Sequence, residues 1–333
     1  MKEIDSWIGK IHYGDANQVL KTVPSNSIDC IATDPPYGYS FIELFSGIGG
    51  FRLGLERSDW KCVWSNDWDK WACQIYRKNF GGDDLIEGDI KSININTIPN
   101  HTLLTAGFPC QSFSIAGERK GFEDSRGTLF FHIIRVVKAK RPSLLLLENV
   151  RGLLSTQRGY CFYRIVQTLD ELGYDVEWQV LNSKYFGVPQ NRQRVFIIGH
   201  LRGTGGRQIF PVGCFEKKND KSSGRPMIVG NIYPSGGEAG VIFDSKGIFP
   251  TMKQGKRGGM AGVPPILDKM RIRRLTPTEC ERLQGFPDGW TEGVSNTQRY
   301  KLLGNAVTVN VVEFLGKQLL DCTYTHNCKE KRK

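Results

Sequence analysis

The nine cysteines, at 30, 62, 73, 110, 161, 214, 280, 322 and 328, contain no Cys-x-x-Cys and are odd in number. A zinc ribbon and a disulfide scaffold are therefore poor readings, and the thiols fit a reducing cytoplasm. Cys322, His326 and Cys328 crowd the C-terminal tail without a fourth ligand for a tetrahedral site, so no metal is expected. Long apolar runs are also lacking. The richest, Leu144-Leu145-Leu146-Leu147, stops at Glu148, far short of the ~20 residues that a membrane helix takes. The start, Met1-Lys2-Glu3-Ile4-Asp5, has no apolar signal-peptide core, so secretion is not expected and the chain reads as cytoplasmic. No internal repeat is present. A content of 39% hydrophobic and 24% charged residues excludes a collagen, a mucin-like stalk and a wholly disordered chain. With 333 residues the chain buries enough surface to need no staples, and its length fits two domains.

What is present is positive charge, unevenly spread. The formal charge is +11, and residues 201–333 carry 22 Lys and Arg against 12 Asp and Glu, while residues 1–200 carry 23 against 22. A near-neutral first part joined to a basic second part points to an acidic partner, nucleic acid first. A solvated basic face is the alternative on charge alone.

From residue 40 strands alternate with helices. Strands are expected at 41–45, 62–65, just before Gly88, at 103–106, at 144–147 and at 195–198. Helices are expected from the glycine turn to about 56, then over 69–79, 128–139 and 161–172, the last ending at Gly173. That rhythm implies a parallel α/β sheet with helices on both faces. It breaks near residue 200. Fourteen of the 38 glycines fall between 203 and 262, with short strand-like fragments at 227–229 and 241–243, which reads as a small, loop-rich second domain. Helix signals return with Thr276-Pro277-Thr278-Glu279, a capping box with proline at the first helical position. Val307, Val311, Phe314, Leu315 and Leu319 then form one helical face suited to dock on the sheet.

Four places carry chemistry. Phe45-Ser46-Gly47-Ile48-Gly49-Gly50-Phe51 is a glycine turn between the first strand and helix, where a ligand can approach the backbone. It is not the G-x-G-x-x-G of NAD enzymes, because residue 52 is Arg. Asp67 ends the second strand, where an acid can hold ribose hydroxyls; Trp68 offers a purine-stacking face, and Asp89 follows the third strand as an acceptor for an exocyclic amine. Each alone is more often structural, but three strand ends aimed at one nucleoside point to a cofactor site. Gly107-Phe108-Pro109-Cys110-Gln111 follows the fourth strand and sets a cysteine in a turn where nucleophiles are placed; residues 112–126, rich in Ser, Gly and charge, read as a lid. Glu148-Asn149-Val150 ends the leucine strand, and the expected place of Glu148 beside Cys110 favours a functional acid over a capping one. Arg192 and Arg194, two apart in Gln190-Asn191-Arg192-Gln193-Arg194, are expected to point the same way toward a phosphate or a base carbonyl; an edge-strand charge pattern is the other reading.

The ordered set of these segments, with Asp67-Trp68, Gly88-Asp89-Ile90, residues 122–130, 279–287 and Gly304-Asn305-Ala306-Val307, resembles the cytosine-C5 DNA methyltransferase family over about 40–200 and 270–320. The resemblance implies a Rossmann-like S-adenosylmethionine-dependent methyltransferase sheet with a smaller Gly-rich, strand-and-loop target-recognition domain. It implies S-adenosyl-L-methionine as cofactor, held by Phe45, Ser46, Gly47, Gly49, Gly50, Asp67, Trp68, Asp89, Ile90, Pro109, Leu129, Asn305 and Ala306. It makes Cys110 the nucleophile, Glu148 and Arg194 the groups that hold the base, and Arg192 their support. Double-stranded DNA is the expected partner, met by Gln111, Ser112 and Arg126 of the lid and by Lys253, Lys256 and Arg257 of the basic segment. The short variable region resembles compact, monomeric single-specificity enzymes of bacterial, archaeal or phage origin, which act beside a restriction endonuclease without a stable complex.

The N-terminus departs from that pattern. Asp34-Pro35-Pro36-Tyr37 resembles the motif of amino-methyltransferases, which alkylate adenine N6 or cytosine N4, and this stands as the alternative function along with an RNA-directed cytosine-C5 relative. The motif precedes Phe41 by only a few residues, so one sheet cannot use it as both a fourth-strand end and the lead-in to strand one; it is expected to be idle. The expected division is 1–38 fusion segment, 39–202 catalytic, 203–272 target recognition, 273–322 hinge and return, and 323–333 basic tail.

Overall fold

The computed structural model describes residues 39–108, 129–204, 208–211, 226–231, 241–253, 263–268 and 271–329, with side chains undescribed at 230–231 and 322–329. The chain divides into Met1–Gly38 and Tyr39–Lys333, and the fold below is that of the second unit.

Its main sheet holds seven strands: β1 (Ser40–Leu44), β2 (Lys61–Asp67), β3 (Leu85–Glu87), β4 (Leu103–Gly107), β5 (Leu144–Val150), β6 (Tyr174–Asn182) and β8 (Gln193–Leu201), with the two-residue β7 (Gln190–Asn191) outside it. Their order is β3-β2-β1-β4-β5-β8-β6. The chain runs outward from β1 to β3, then returns to lay β4 on the other side of β1. That reversal opens a crevice at the carboxyl ends of β1 and β4, the place where open α/β sheets bind ligands.

The sheet is not parallel throughout, as expected from the rhythm: β8 runs antiparallel to both β5 and β6. The reason is connection length. Residues 183–192 separate β6 from β8, too few for the dozen or more that a parallel crossover takes.

Helices α1 (Gly50–Glu56), α2 (Lys70–Phe80), α3 (Leu129–Lys140) and α4 (Tyr160–Glu171) fill the connections. The leucine run divides between two cores because side chains alternate across a strand. Leu145 and Leu147 pack with Ile133 and Val137 of α3 and Ile165 and Leu169 of α4. Leu144 and Leu146 pack on the other face with Phe51 and Leu55 of α1 and with Val311, Leu315 and Leu319. Those last three belong to the long helix α7 (Val309–Lys329), reached through α5 (Pro277–Gln284) and α6 (Asn296–Asn305). The capping box at α5 forms as expected, with Thr276 and Glu279 exchanging side-chain to backbone hydrogen bonds.

In sequence between β8 and α5 comes a smaller sheet, order β13-β12-β10-β9, from β9 (Ile228–Asn231), β10 (Val241–Asp244), β12 (Pro265–Asp268) and β13 (Arg271–Arg274). It runs two residues past the boundary expected at 272. The short β11 (Phe249–Pro250) pairs with β7, tying this segment to the main unit.

Candidate active site

One side of the crevice is built by β4, β5 and β8, the strands that carry or border the residues expected to be catalytic. Gly107, the last residue of β4, lies in register with Glu148 of β5. The absence of a side chain at Gly107 leaves room for the acid: a Cβ there would sit 3.4 Å from Glu148 Oε2. Glu148 is buried, and its Oε1 accepts from Arg194 Nε at 2.9 Å. Asn149, also buried, faces differently. Its Nδ2 donates to the Phe108 carbonyl at 2.8 Å, clamping the end of β4. Asn149 has no role in the expected site, although a polar residue closing an apolar strand is itself a signal.

Arg192 does not join Arg194 at Glu148. It falls in the break between β7 and β8, so the period-two alternation that put both side chains on one face does not apply. Its guanidinium is fully buried and donates to the carbonyls of Met252 (3.1 Å), Gly304 (3.1 Å) and Ala306 (2.7 Å). Burial, and then the neighbouring charge of Arg194, push its pKa down to about 9. Gly304 and Ala306 flank the exposed Asn305, so Arg192 shapes the corner that displays Asn305 and Ala306.

On the other side, where the cofactor is expected, the backbone is unusual. Phe45 (φ 58°), Gly47 (φ 56°) and Gly49 (φ 81°) are all left-handed, a conformation that glycine adopts freely and phenylalanine does not. Asp67 holds the turn: its Oδ2 accepts from Gly47 N at 2.7 Å and its Oδ1 from Asp69 N at 2.8 Å. Burial raises the Asp67 pKa, and backbone hydrogen bonds from Asp69, Gly47 and Trp68 oppose that rise. On the far side of the turn, the Trp290 indole donates to the Ile48 carbonyl at 3.0 Å. Trp68 is 75% exposed, beyond what a packing role needs. Asp89 is exposed and caps a single turn at Ile90–Ser92, with Ile90 buried behind it. Leu129 opens α3 and packs against the core.

These residues suit a nucleoside-bearing sulfonium cofactor. Among the described residues, the Ser46 hydroxyl is buried without a hydrogen-bond partner and nothing lies within 4 Å of a Cβ built on Gly47, while an aromatic face and a carboxylate stand at successive strand ends. Pro109, Cys110, Gln111, Ser112, Arg126, Lys256 and Arg257 lie outside the described residues, as does residue 128 before α3 and the segment 1–38 with Asp34 and Tyr37. Lys253 is described and exposed, directly after the buried Met252. The side chains of Cys322, His326 and Cys328 are not described.

Residues 39–236 and 235–321 match the family of C-5 cytosine-specific DNA methylases. The chain belongs to that family. It is 36% identical over 307 residues to the Type II methyltransferase M.HhaI of Haemophilus parahaemolyticus, covering 84% of this chain and 93% of that protein. It is 38% identical over 292 residues to M.NgoBI of Neisseria gonorrhoeae, covering 83% and 91%. Among solved structures, the S. pombe Dnmt2 methyltransferase superposes with a TM-score of 0.67 at 23% identity, covering 85% of this chain and 98% of that one, a likeness of fold. As a member of the family the chain is a methyltransferase that uses S-adenosylmethionine to methylate carbon 5 of cytosine in DNA. A base stacked in duplex DNA is out of reach of such a site, so it is flipped out for the reaction. Among the described residues no helix is long and apolar enough to cross a membrane.

Proposed function

We propose that the protein methylates one cytosine within a specific duplex sequence, through a covalent adduct with Cys110, as a modification enzyme of the restriction-modification or phage kind. The Glu148–Arg194 pair at the crevice carries the reading: a buried acid and a guanidinium, side by side, match the N3 and carbonyl edge of cytosine. Cytosine C5 is too poor a nucleophile to be methylated directly. Attack of the Cys110 thiolate on C6 makes C5 enamine-like. Glu148 bonds the N3 and amino edge and supplies a proton at N3, and Arg194 holds the carbonyl oxygen. The glycine turn, Asp67, Trp68, Asp89 and Asn305 would hold S-adenosylmethionine, whose sulfonium would supply the methyl group and leave as the neutral thioether. Loss of the C5 proton to a solvent base then re-forms the C5–C6 double bond and expels the Cys110 thiolate, and the N3 proton returns to Glu148. Arg192 acts at one remove, through the Gly304–Ala306 corner.

Residues 203–272 are assigned to target recognition. The basic excess of the second part and the position between catalytic segments support this, with Lys253, Lys256 and Arg257 as phosphate contacts. Residues 1–38 lie before the family match, which supports an idle Asp34-Pro35-Pro36-Tyr37. The enzyme is proposed to act as a monomer in the cytoplasm.

Bisulfite sequencing of DNA from cells expressing the protein tests the product and the target together. Resistant cytosines should recur at one sequence and vanish with Cys110→Ser, while S-adenosylmethionine still binds. An oligonucleotide with 5-fluorocytosine at that position should trap an adduct, since the C5 substituent cannot leave. Turnover by Cys110→Ser near the wild-type rate would remove the thiol from the mechanism.

A further inference from the structure

We infer that Trp290 is a positioning residue of the cofactor site: its indole N–H orients the Ile48–Gly49 peptide and so sets the shape of the turn that receives S-adenosylmethionine. The inference rests on the cofactor site as proposed above. Trp290 is far from the turn in sequence, in the segment that follows α5.

Both ends of one peptide plane are held. The Ile48 carbonyl accepts from Trp290 Nε1 at 3.0 Å, and the Gly49 N–H donates to the Ser46 carbonyl at 3.0 Å. Rotation of that plane would break both bonds together, and it would change the backbone at Gly49, which caps α1 in a left-handed conformation. Behind the turn lie ring and aliphatic surface and one polar group, the Val307 carbonyl, which is an acceptor. A Cβ at Gly49 would collide with the Phe80 ring, and one at Gly50 would lie 2.8 Å from Val307 Cγ1 and 3.4 Å from Phe286 Cζ. Trp290 meets Phe80 edge-on at 5.3 Å and Phe286 at 5.4 Å. None of these neighbours can donate to a carbonyl, so for Ile48, 2% exposed, the indole N–H is the available donor among the described residues.

The donor itself is anchored. Asn79 of α2 donates to the Trp290 carbonyl at 3.1 Å and Lys78 to that of Gly289 at 2.8 Å. The buried carboxylate of Glu281 accepts from the backbone N–H groups of Gly289 and Thr291, both at 2.8 Å. A side chain needed only to fill space would not call for a carrier loop pinned on both flanks.

The test replaces Trp290 by phenylalanine (Trp290→Phe) and, in a second variant, by 3-benzothienylalanine, which keeps the bicyclic shape and puts sulfur where the N–H was. Three quantities are read on the full chain: S-adenosylmethionine affinity by calorimetry without DNA, amide exchange over residues 46–50 in the cofactor-free protein, and the separate KM values for cofactor and DNA. The cofactor Kd and KM are expected to rise about threefold to tenfold, the worth of one neutral hydrogen bond. Exchange over 46–50 should speed up, with kcat and the DNA KM within about twofold of wild type. Unchanged affinity and exchange in the benzothienyl variant would overturn the inference, and so would a loss spread equally over kcat and both KM values. If Trp290→Phe fails to fold, the shape-preserving variant decides. Wild-type protein that binds no S-adenosylmethionine would overturn the cofactor assignment itself, and this inference with it.

Discussion

Glu148, proposed to act on the base, and Asn149, which clamps the end of β4, are neighbours whose variants should fail differently. Glu148→Gln keeps the shape but removes the acid beside Arg194; kcat should fall about 10²–10⁴-fold, the usual worth of a general acid, with cofactor affinity little changed. Single-turnover rates and calorimetry check this. Asn149→Ala leaves the Phe108 carbonyl without its donor in a buried setting. That should cost about 1–3 kcal/mol of stability, read by thermal melting, and lower kcat through the segment leading to Cys110. A third residue predicts a pH effect. Glu43 of β1 is wholly buried, accepting from Arg52 N and Tyr76 OH at 2.8 Å each. Burial pushes its carboxyl from 4.5 to about 8, against the pull of Tyr76 and Arg52, with Glu56 adding to the rise. Above the ordinary value the unfolded chain has released this proton while the folded chain retains it. Glu43 therefore makes stability fall as pH rises from about 4.5 to 8. Glu43→Gln should remove that slope, so its melting temperature relative to wild type should climb across that window.

At the scale of elements, the glycine turn and α1 depend on what packs behind them. Gly50→Ala puts a Cβ 2.8 Å from Val307 Cγ1 and 3.0 Å from the Val307 carbonyl. The backbone cannot yield as a flexible side chain would, so overpacking should cost about 1–3 kcal/mol. Denaturant titration reads that loss, and cofactor affinity should fall with it. The turn was legible in the sequence because its glycines mark it. Its buttress was not, because Phe286, Trp290 and Val307 follow the ordinary pattern of core residues, and only the fold brings them to residues 48–50.

For the whole molecule, the expectation is separable recognition and catalysis. Replacing 203–272 by the equivalent segment of a family member with another target should transfer that specificity; an active chimera that still modifies the original site would refute the assignment. Lys253→Ala should weaken DNA binding about equally for all sequences and reduce the salt slope by roughly one phosphate contact. A chain beginning at Ser40 should retain cytosine-C5 methylation, and Asp34→Ala should change little. N6-methyladenine or N4-methylcytosine made by the full chain and lost in Asp34→Ala would promote the amino-methyltransferase reading.

Local chemistry is what the sequence alone determined. The α5 capping box, the glycine turn and the strand-end acids are each signals carried by a few adjacent residues, and the order of such segments along the chain carried the family resemblance. Period-two alternation likewise accounts for Leu144 to Leu147 serving two cores. The tertiary structure decided whatever depends on distant partners. The antiparallel β8 follows from the short connection between β6 and β8. The divergence of Arg192 from Arg194 follows from a break in the strand, where three carbonyls, from Met252, Gly304 and Ala306, converge on one guanidinium. A side chain's partner across more than a hundred residues is set by packing, and no local pattern encodes it.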